Sequence, residues 1–432
     1  MKKMLIAINE NQKWPETGEQ KEIAKKISLS PSDEKLGQLL QDKKIIDFRI
    51  LKDHGLEIKA KQFIGVVNFS TFKLEIIPKI YPNDIPCVWR NLASCINFIN
   101  DFSLSKIIEY EKNSFENEDQ ILVDFIIWAF VYECEQLIKR GLLKSYVTHE
   151  ENLPYLRGKL IIKQQFNNDM RKNVKFFCEF DELEFDNIDN QILLDTLFLC
   201  ERIAVSKKLK KKLFFLIQQL RILVQKVHIT VSDIVKVMSG YNRQNSHYKN
   251  AHSLCKLIKE NAGITDISYG NLPFAVPFFM DMNKIFEKFV TKLFVDFHDD
   301  NVEAQNRQKA WIIDNKKSKN MIPDIILTDK KNKKISAIID AKYKDELKES
   351  DLYQIGFYIH EYRDKENLYD GHEAFAILPK YLPEKKMYQE YTANESKIKI
   401  HARYLSIDEY IRLIKNNDIN EITERISELI SN

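Results

Sequence analysis

Two isoleucine-rich runs, MIPDIILTD (321–329) and ISAIIDAKYK (335–344), constrain this chain more than any other feature. Each reads as a β-strand, and the apolar-free turn KKNKK between them makes a hairpin with its tip near Asn332. Such a hairpin sets Asp324 roughly opposite Asp340. Side chains repeat every two residues along a strand, so Asp340 and Lys342 lean to one face. Two carboxylates and one ammonium then converge on a small volume.

That convergence has a chemical use. Two carboxylates in an otherwise apolar sheet repel one another and lose hydration. A hard divalent cation relieves both problems, and Mg²⁺ commonly takes one or two carboxylates together with phosphate and water. A lysine beside it can orient the water or stabilise charge developing on a phosphate. Taken alone, Asp-x-Lys is more often a surface ion pair. Its neighbours favour the site. Asp324 follows Pro323, Asp340-Ala341-Lys342 ends an apolar strand, and DLYQIGFY carries Gln354 and Tyr358 four residues apart on one face of an expected helix.

This set resembles the PD-(D/E)xK nuclease superfamily, and Gln-x-x-x-Tyr looks like the additional motif of its RecB-like branch. That superfamily has a helix ahead of the hairpin, often bearing a glutamate; MDMNKIFEKFVTKLF supplies one with Glu287. The segment MNKIFEKF further resembles the McrC family, the nuclease subunit of McrBC-type modification-dependent restriction systems. FIGVVNF…LEIIPKI near the N-terminus, and Arg157-Gly158 followed by Asp189-Asn190-Gln191-Ile192-Leu193, are similar to that family less specifically. The resemblance implies that Asp324 and Asp340 ligate Mg²⁺, with Glu287 binding directly or through water and the Ala341 carbonyl as a further ligand. It implies that Lys342 positions or activates water, and that Gln354 and Tyr358 hold DNA or buttress the site. Proton transfer at Lys342 would be easier were its pKa depressed by burial and the metal.

Composition bounds the rest. The chain has 432 residues, which suggests two or three domains. Its 66 basic and 63 acidic side chains nearly cancel to +3, so any DNA site must be a local patch. Six cysteines without a Cys-x-x-Cys pair point to free buried thiols in a reducing cytosol rather than zinc ligation or disulfides. MKKMLIAINENQKW is too short in apolar residues for a signal peptide, and no segment is long enough for a membrane span. The expected location is cytoplasmic.

Along the chain, alternating short runs make residues 1 to about 90 β-rich, with a hairpin whose tip is near Phe69–Phe72. Helical spacing follows to Leu143, and Gly141 suits a helix end. The aromatic stripe Phe125, Trp128, Phe130 and Tyr132 fits core packing better than base stacking. LPYLRGKLIIKQQF reads as a turn into a strand. Asp181, Glu182, Glu184 and Asp186 read as a solvated loop, since they lack EF-hand spacing. The run KKLKKK near residue 210 reads as a solvated helix end more readily than a phosphate contact. A linker falls near 261–271. The expected fold is α+β multidomain: residues 1–150 β-rich then helical and docking a partner, 151–265 mostly helical, and 266–432 an α/β PD-(D/E)xK domain.

No G-x-x-x-x-G-K-[ST] occurs, so this chain lacks a Walker-A nucleotide loop. The resemblance implies a separate McrB-like AAA+ GTPase partner that recognises modified-cytosine DNA and translocates, and whose GTP hydrolysis this chain stimulates. Two other readings stay open: a non-catalytic adaptor regulating an NTPase, and a self-sufficient RecB-like repair nuclease.

Overall fold

The computed structural model describes residues 4–51, 55–79, 85–100, 122–204, 206–262, 277–304, 308–313, 317–331, 333–363, 373–380, 388–395 and 397–431. Asn332 and most of the expected linker, from residue 263, lie outside these residues. The chain forms two units, one of residues 1–102 with 279–432 and one of residues 103–278. The sequence-based division at 150 and 265 is a different partition. The reason is tertiary: residues at the two ends of the chain build one unit together, and no local pattern announces such pairing.

In the first unit, the strand Met4–Asn9 runs parallel to Phe72–Ile77, which forms the expected hairpin with Phe63–Asn68. The hairpin tip is not an exposed loop. Phe69 and Phe72 are buried and stacked at 4.5 Å, and Asp33 accepts the Ser70 N–H at 2.8 Å. Asp33 lies on one of two helices, Gly18–Lys26 and Pro31–Asp42, that the β-rich expectation passed over. Both begin with capping boxes, Thr17 with Gln20 and Ser30 with Asp33, a signal present in the sequence.

The same unit holds a six-stranded mixed sheet in the order Asn301–Ala304, Ile325–Thr328, Ile335–Ala341, Glu373–Pro379, Lys399–Leu405, Tyr388–Thr392. The Ile325–Thr328 and Ile335–Ala341 strands pair antiparallel with Ile325 opposite Ile339 and Ile326 opposite Ile338. One sheet face, including Ile326, Ile338, Ala376 and Ala402, packs on Ile355, Tyr358, Ile359 and Tyr362 of the helix Glu349–Arg363. The helix Met282–Phe297 lies against the Ile335–Ala341 strand and the helices Ile85–Asn100 and Ile419–Leu429. Its buried face is the expected Ile285, Phe286, Phe289, Val290, Leu293 and Phe294. KAWIIDN contributes Gln308–Ile313, which pairs with Lys317–Met321 as a separate ribbon.

The second unit contains the helices Leu122–Arg140, Ile162–Met170, Ile188–Ile203, Lys207–Leu220, Val231–Ser239 and Lys249–Asn261. It is not helical throughout: Ser145–Leu153 pairs with Phe176–Glu184, and Lys159–Leu160 pairs with Phe176–Glu184 on its other side. The acidic residues Asp181, Glu182 and Glu184 therefore stand on a strand, not in a loop. Nine consecutive residue pairs between the two long strands outweigh the charge that suggested solvation. Gly158 has φ +65°, and a Cβ there would lie 2.3 Å from the Glu179 carbonyl oxygen, so the Arg157-Gly158 turn needs glycine. The Arg157 guanidinium covers the Phe180 ring at 4.1 Å. Phe130 is a core residue as expected, while Trp128 carries the ammonium groups of Lys208 and Lys212 at 5.7 and 5.0 Å from its ring. Among the described residues Cys95, Cys134, Cys178, Cys200 and Cys255 are buried free thiols, and no helix is long and apolar enough to cross a membrane.

Candidate active site

Asp324 directly precedes its strand, and extending the Ile325–Ile339 register by one residue sets it opposite Asp340. Its Oδ2 accepts the Ala341 N–H at 2.7 Å. Asp340 is 1% exposed, on the same sheet face as Ile338. Lys342 follows on that face, as period two requires, and its Nζ lies 2.6 Å from Asp340 Oδ2. Asp340 is thus a buried carboxylate whose close counter-ion is the Lys342 ammonium.

A chain of donors and acceptors continues onto the helix. Lys342 Nζ donates to Gln354 Oε1 at 3.1 Å. Gln354 Nε2 donates to the Tyr358 hydroxyl at 2.6 Å, and that hydroxyl donates to the Ile322 carbonyl at 3.1 Å. Helical spacing of four brings Gln354 and Tyr358 together, and the Ile322 bond returns the chain to the residues just before Asp324. Gln354 and Tyr358 thus buttress the lysine and the hairpin in this state.

Charge in this cluster is poorly compensated. Burial, then the nearby charges of Asp340 and Glu287, push the Asp324 carboxyl up to about 8, against the pull of the Ala341 N–H and Lys342. Burial also raises Asp340, with Lys342 opposing and Asp351 and Glu287 adding. Glu287, half-buried on the Met282–Phe297 helix, is close enough to act on both. Lys342 is raised rather than depressed: burial lowers it, but Asp340 and Asp324 outweigh burial. Without a cation, the depression that would ease proton transfer at Lys342 is therefore not in place. A divalent cation would relieve the repulsion among Asp324, Asp340 and Glu287, and their hard oxygen donors fit one.

Sequence reasoning missed two supports. Lys344 pairs with both oxygens of Asp351 at 2.7 and 2.8 Å, and Asp351 Oδ2 accepts the Lys348 N–H at 3.0 Å, which ties the start of the Gln354 helix to the chain leaving Lys342. Tyr343 hydrogen-bonds Glu10. DAKYK and the spacing from Lys348 to Asp351 carried a signal for the first. Nothing local signals the second.

The Asp324 shift has a measurable consequence. Its folded pKa lies above the ordinary aspartate value, so the stability it contributes is full below about 4 and is lost as pH rises to about 8. Asp324→Asn should raise the metal-free melting temperature by a margin that grows between those limits and is flat above them. At the upper limit the gain should be on the order of 1 kcal/mol or more. Thermal melts across pH, with and without Mg²⁺, test this; a pH-independent difference would refute it.

A family model described as "McrBC 5-methylcytosine restriction system component" matches residues 58–369. No curated protein matches the chain. Among solved structures, the chain is similar to one in the refined half-complex from a tetradecameric assembly of Thermococcus gammatolerans McrB AAA+ hexamers with bound McrC. The identity is 20%, the match covers 96% of this chain and 100% of that one, and the TM-score is 0.62. A chain of the cryo-EM structure of the Thermococcus gammatolerans McrBC complex matches at 19% identity over 68% of this chain and 87% of that one, with a TM-score of 0.49. At such identity the first likeness shows a shared fold.

Proposed function

The chain belongs to the family of McrBC 5-methylcytosine restriction system components, and from that premise we propose that it is the Mg²⁺-dependent DNA endonuclease subunit of such a system, with a PD-(D/E)xK core. The observation that carries the reading is the buried cluster of Asp324, Asp340 and Lys342, in which two carboxyl groups that burial raises share one ammonium, 2.6 Å from Asp340. In this proposal Asp324 and Asp340 hold the cation, Glu287 joins directly or through water, and the Ala341 carbonyl is a further ligand. The cation would supply positive charge against a scissile phosphate and acidify water.

The chain's own residues do the rest. Lys342, held by Gln354, points its amine where a water or a phosphate oxygen would lie, and stabilises negative charge there. Its raised pKa keeps it protonated, so its first role is to orient and to stabilise charge. Proton removal by Lys342 requires that a bound cation lower its pKa, as like charge does. Tyr358 and Gln354 hold the amine against the pull of two carboxylates. DNA contacts would be mainly to phosphate, and cleavage should weaken with salt.

The partner proposed is an AAA+ GTPase of the McrB kind. The similar chain comes from an assembly of McrB AAA+ hexamers with bound McrC, and this chain has no Walker-A loop of its own. Modified-cytosine DNA is the substrate class that the family description suggests. The test is cleavage of methylated DNA by this chain with its AAA+ partner and GTP. Cleavage should require Mg²⁺ and stop with chelator. Stimulated GTP hydrolysis without any cleavage would replace the nuclease reading with that of a regulatory adaptor.

A further inference from the structure

We propose that Glu10 is a positioning residue for the Lys342 amine and acts through Tyr343; this rests on the nuclease reading above. Glu10 directly follows the strand Met4–Asn9, more than three hundred residues away in sequence, and its N–H donates to the Ile77 carbonyl at 2.9 Å. Its side chain is 2% exposed. Oε1 accepts both the Lys79 N–H, at 2.9 Å, and the Tyr343 hydroxyl. Oε2 is buried without a hydrogen-bond partner.

The position of Tyr343 gives this contact its meaning. The Lys342 N–H still bonds across the sheet to the Ile377 carbonyl at 2.8 Å, but the chain then turns, with the Lys344 N–H on the Lys342 carbonyl at 2.8 Å. Among the described residues no ladder continues past Lys342, and side chains hold the backbone there. The Tyr343 ring is buried 5.9 Å from that of Phe286, the residue before Glu287. The Lys79 ammonium stands 5.4 Å from the Tyr343 ring centroid and reaches Asp345 at 3.1 Å. Glu10 and Lys79 therefore grip residues 343–345, while Gln354 grips the Lys342 amine. The lysine is held at both ends.

An apolar side chain at position 10 would avoid burying a carboxyl group, which is costly without full hydrogen bonding. Burial pushes Glu10 up to about 7, so a neutral amide of the same shape can serve as the Tyr343 acceptor. The contact is geometrically directed, which stability alone does not demand.

The test compares Glu10→Leu, Glu10→Gln and Tyr343→Phe in the full chain with its AAA+ partner. Glu10→Leu and Tyr343→Phe should each slow cleavage roughly tenfold or more with the KM for DNA held within about threefold, and Glu10→Gln should restore most of the rate. Amide exchange supplies a readout independent of catalysis. Exchange at 342–345 should quicken roughly tenfold in Glu10→Leu and Tyr343→Phe, with Glu373–Pro379 unchanged. Unchanged exchange at 342–345 overturns the proposal. Should Glu10→Leu loosen the whole sheet, Tyr343→Phe, which removes one hydroxyl, decides: wild-type exchange there also overturns it. A wild-type protein that fails to cleave with Mg²⁺ refutes the nuclease reading instead, and the exchange result still decides the Glu10 link.

Discussion

Asp340→Asn should reduce DNA cleavage by ~10²–10³-fold or more while the assembled complex continues to hydrolyse GTP. Asp340 sits at the centre of the site's charge. It lies 2.6 Å from Lys342 and helps to raise Asp324. Asparagine keeps the shape and removes the charge. It would weaken a cation site and release Lys342 from its counter-ion, and two faults at one reacting centre compound. Folding should survive, because a carboxylate that burial already raises gains nothing from ionising. Cleavage of a methylated plasmid and GTP hydrolysis, followed in the same reaction, test the prediction. Cleavage within a few-fold of wild type would remove Asp340 from the site. Parallel loss of both activities would point to failed assembly.

Asn190→Leu should cost about 3 kcal/mol or more of stability in the second unit. Asn190 is fully buried, and its amide donates to the carbonyls of Leu143 and Phe185 at 2.9 and 2.7 Å. Its Oδ1 accepts the Tyr248 hydroxyl at 2.7 Å, and that hydroxyl accepts the Leu143 N–H at 2.8 Å. Leucine removes three hydrogen bonds at once and leaves the tyrosine's donor without an acceptor, although the Leu143 and Phe185 carbonyls keep their bonds from Asn187. Tyr248→Phe removes two hydrogen bonds, those to Asn190 Oδ1 and from the Leu143 N–H, and should cost about 1–2 kcal/mol. Urea unfolding of both variants measures the difference; a loss under about 1 kcal/mol for Asn190→Leu would show that water or repacking replaces the network. The Asp189-Asn190-Gln191 stretch owes its place to this anchor rather than to chemistry on a substrate.

The clustering of Asp324, Asp340, Lys342, Gln354 and Tyr358 was legible because its signals are short in range. Asp340 and Lys342 share a face by strand period, Gln354 and Tyr358 by helical period, and a five-residue turn sets Asp324 against Asp340. The apolar stripe of the Met282–Phe297 helix could likewise be counted from the sequence. What escaped was either long in range or disguised by charge. The Glu179–Glu184 stretch is a strand because Ser145–Thr148 and their neighbours pair with it, and its acidity says only that one side meets water. The two N-terminal helices escaped although their caps were written plainly; the flanking β-branched runs drew attention away from them. Glu10 looked like any glutamate at the end of a strand.

The union of residues 1–102 with 279–432 bears on how the chain is made. During synthesis the N-terminal strands emerge long before the segments they pack against, and residues 103–278 must pass first. At ~5–20 residues per second that interval is on the order of ten seconds or more. Glu10 and Lys79 wait through it without their partners Tyr343 and Asp345. The braces Glu10 and Lys79 are therefore made first and the acidic cluster they steady through Tyr343 and Asp345 last, so the cluster is braced only once the last third of the message has been read.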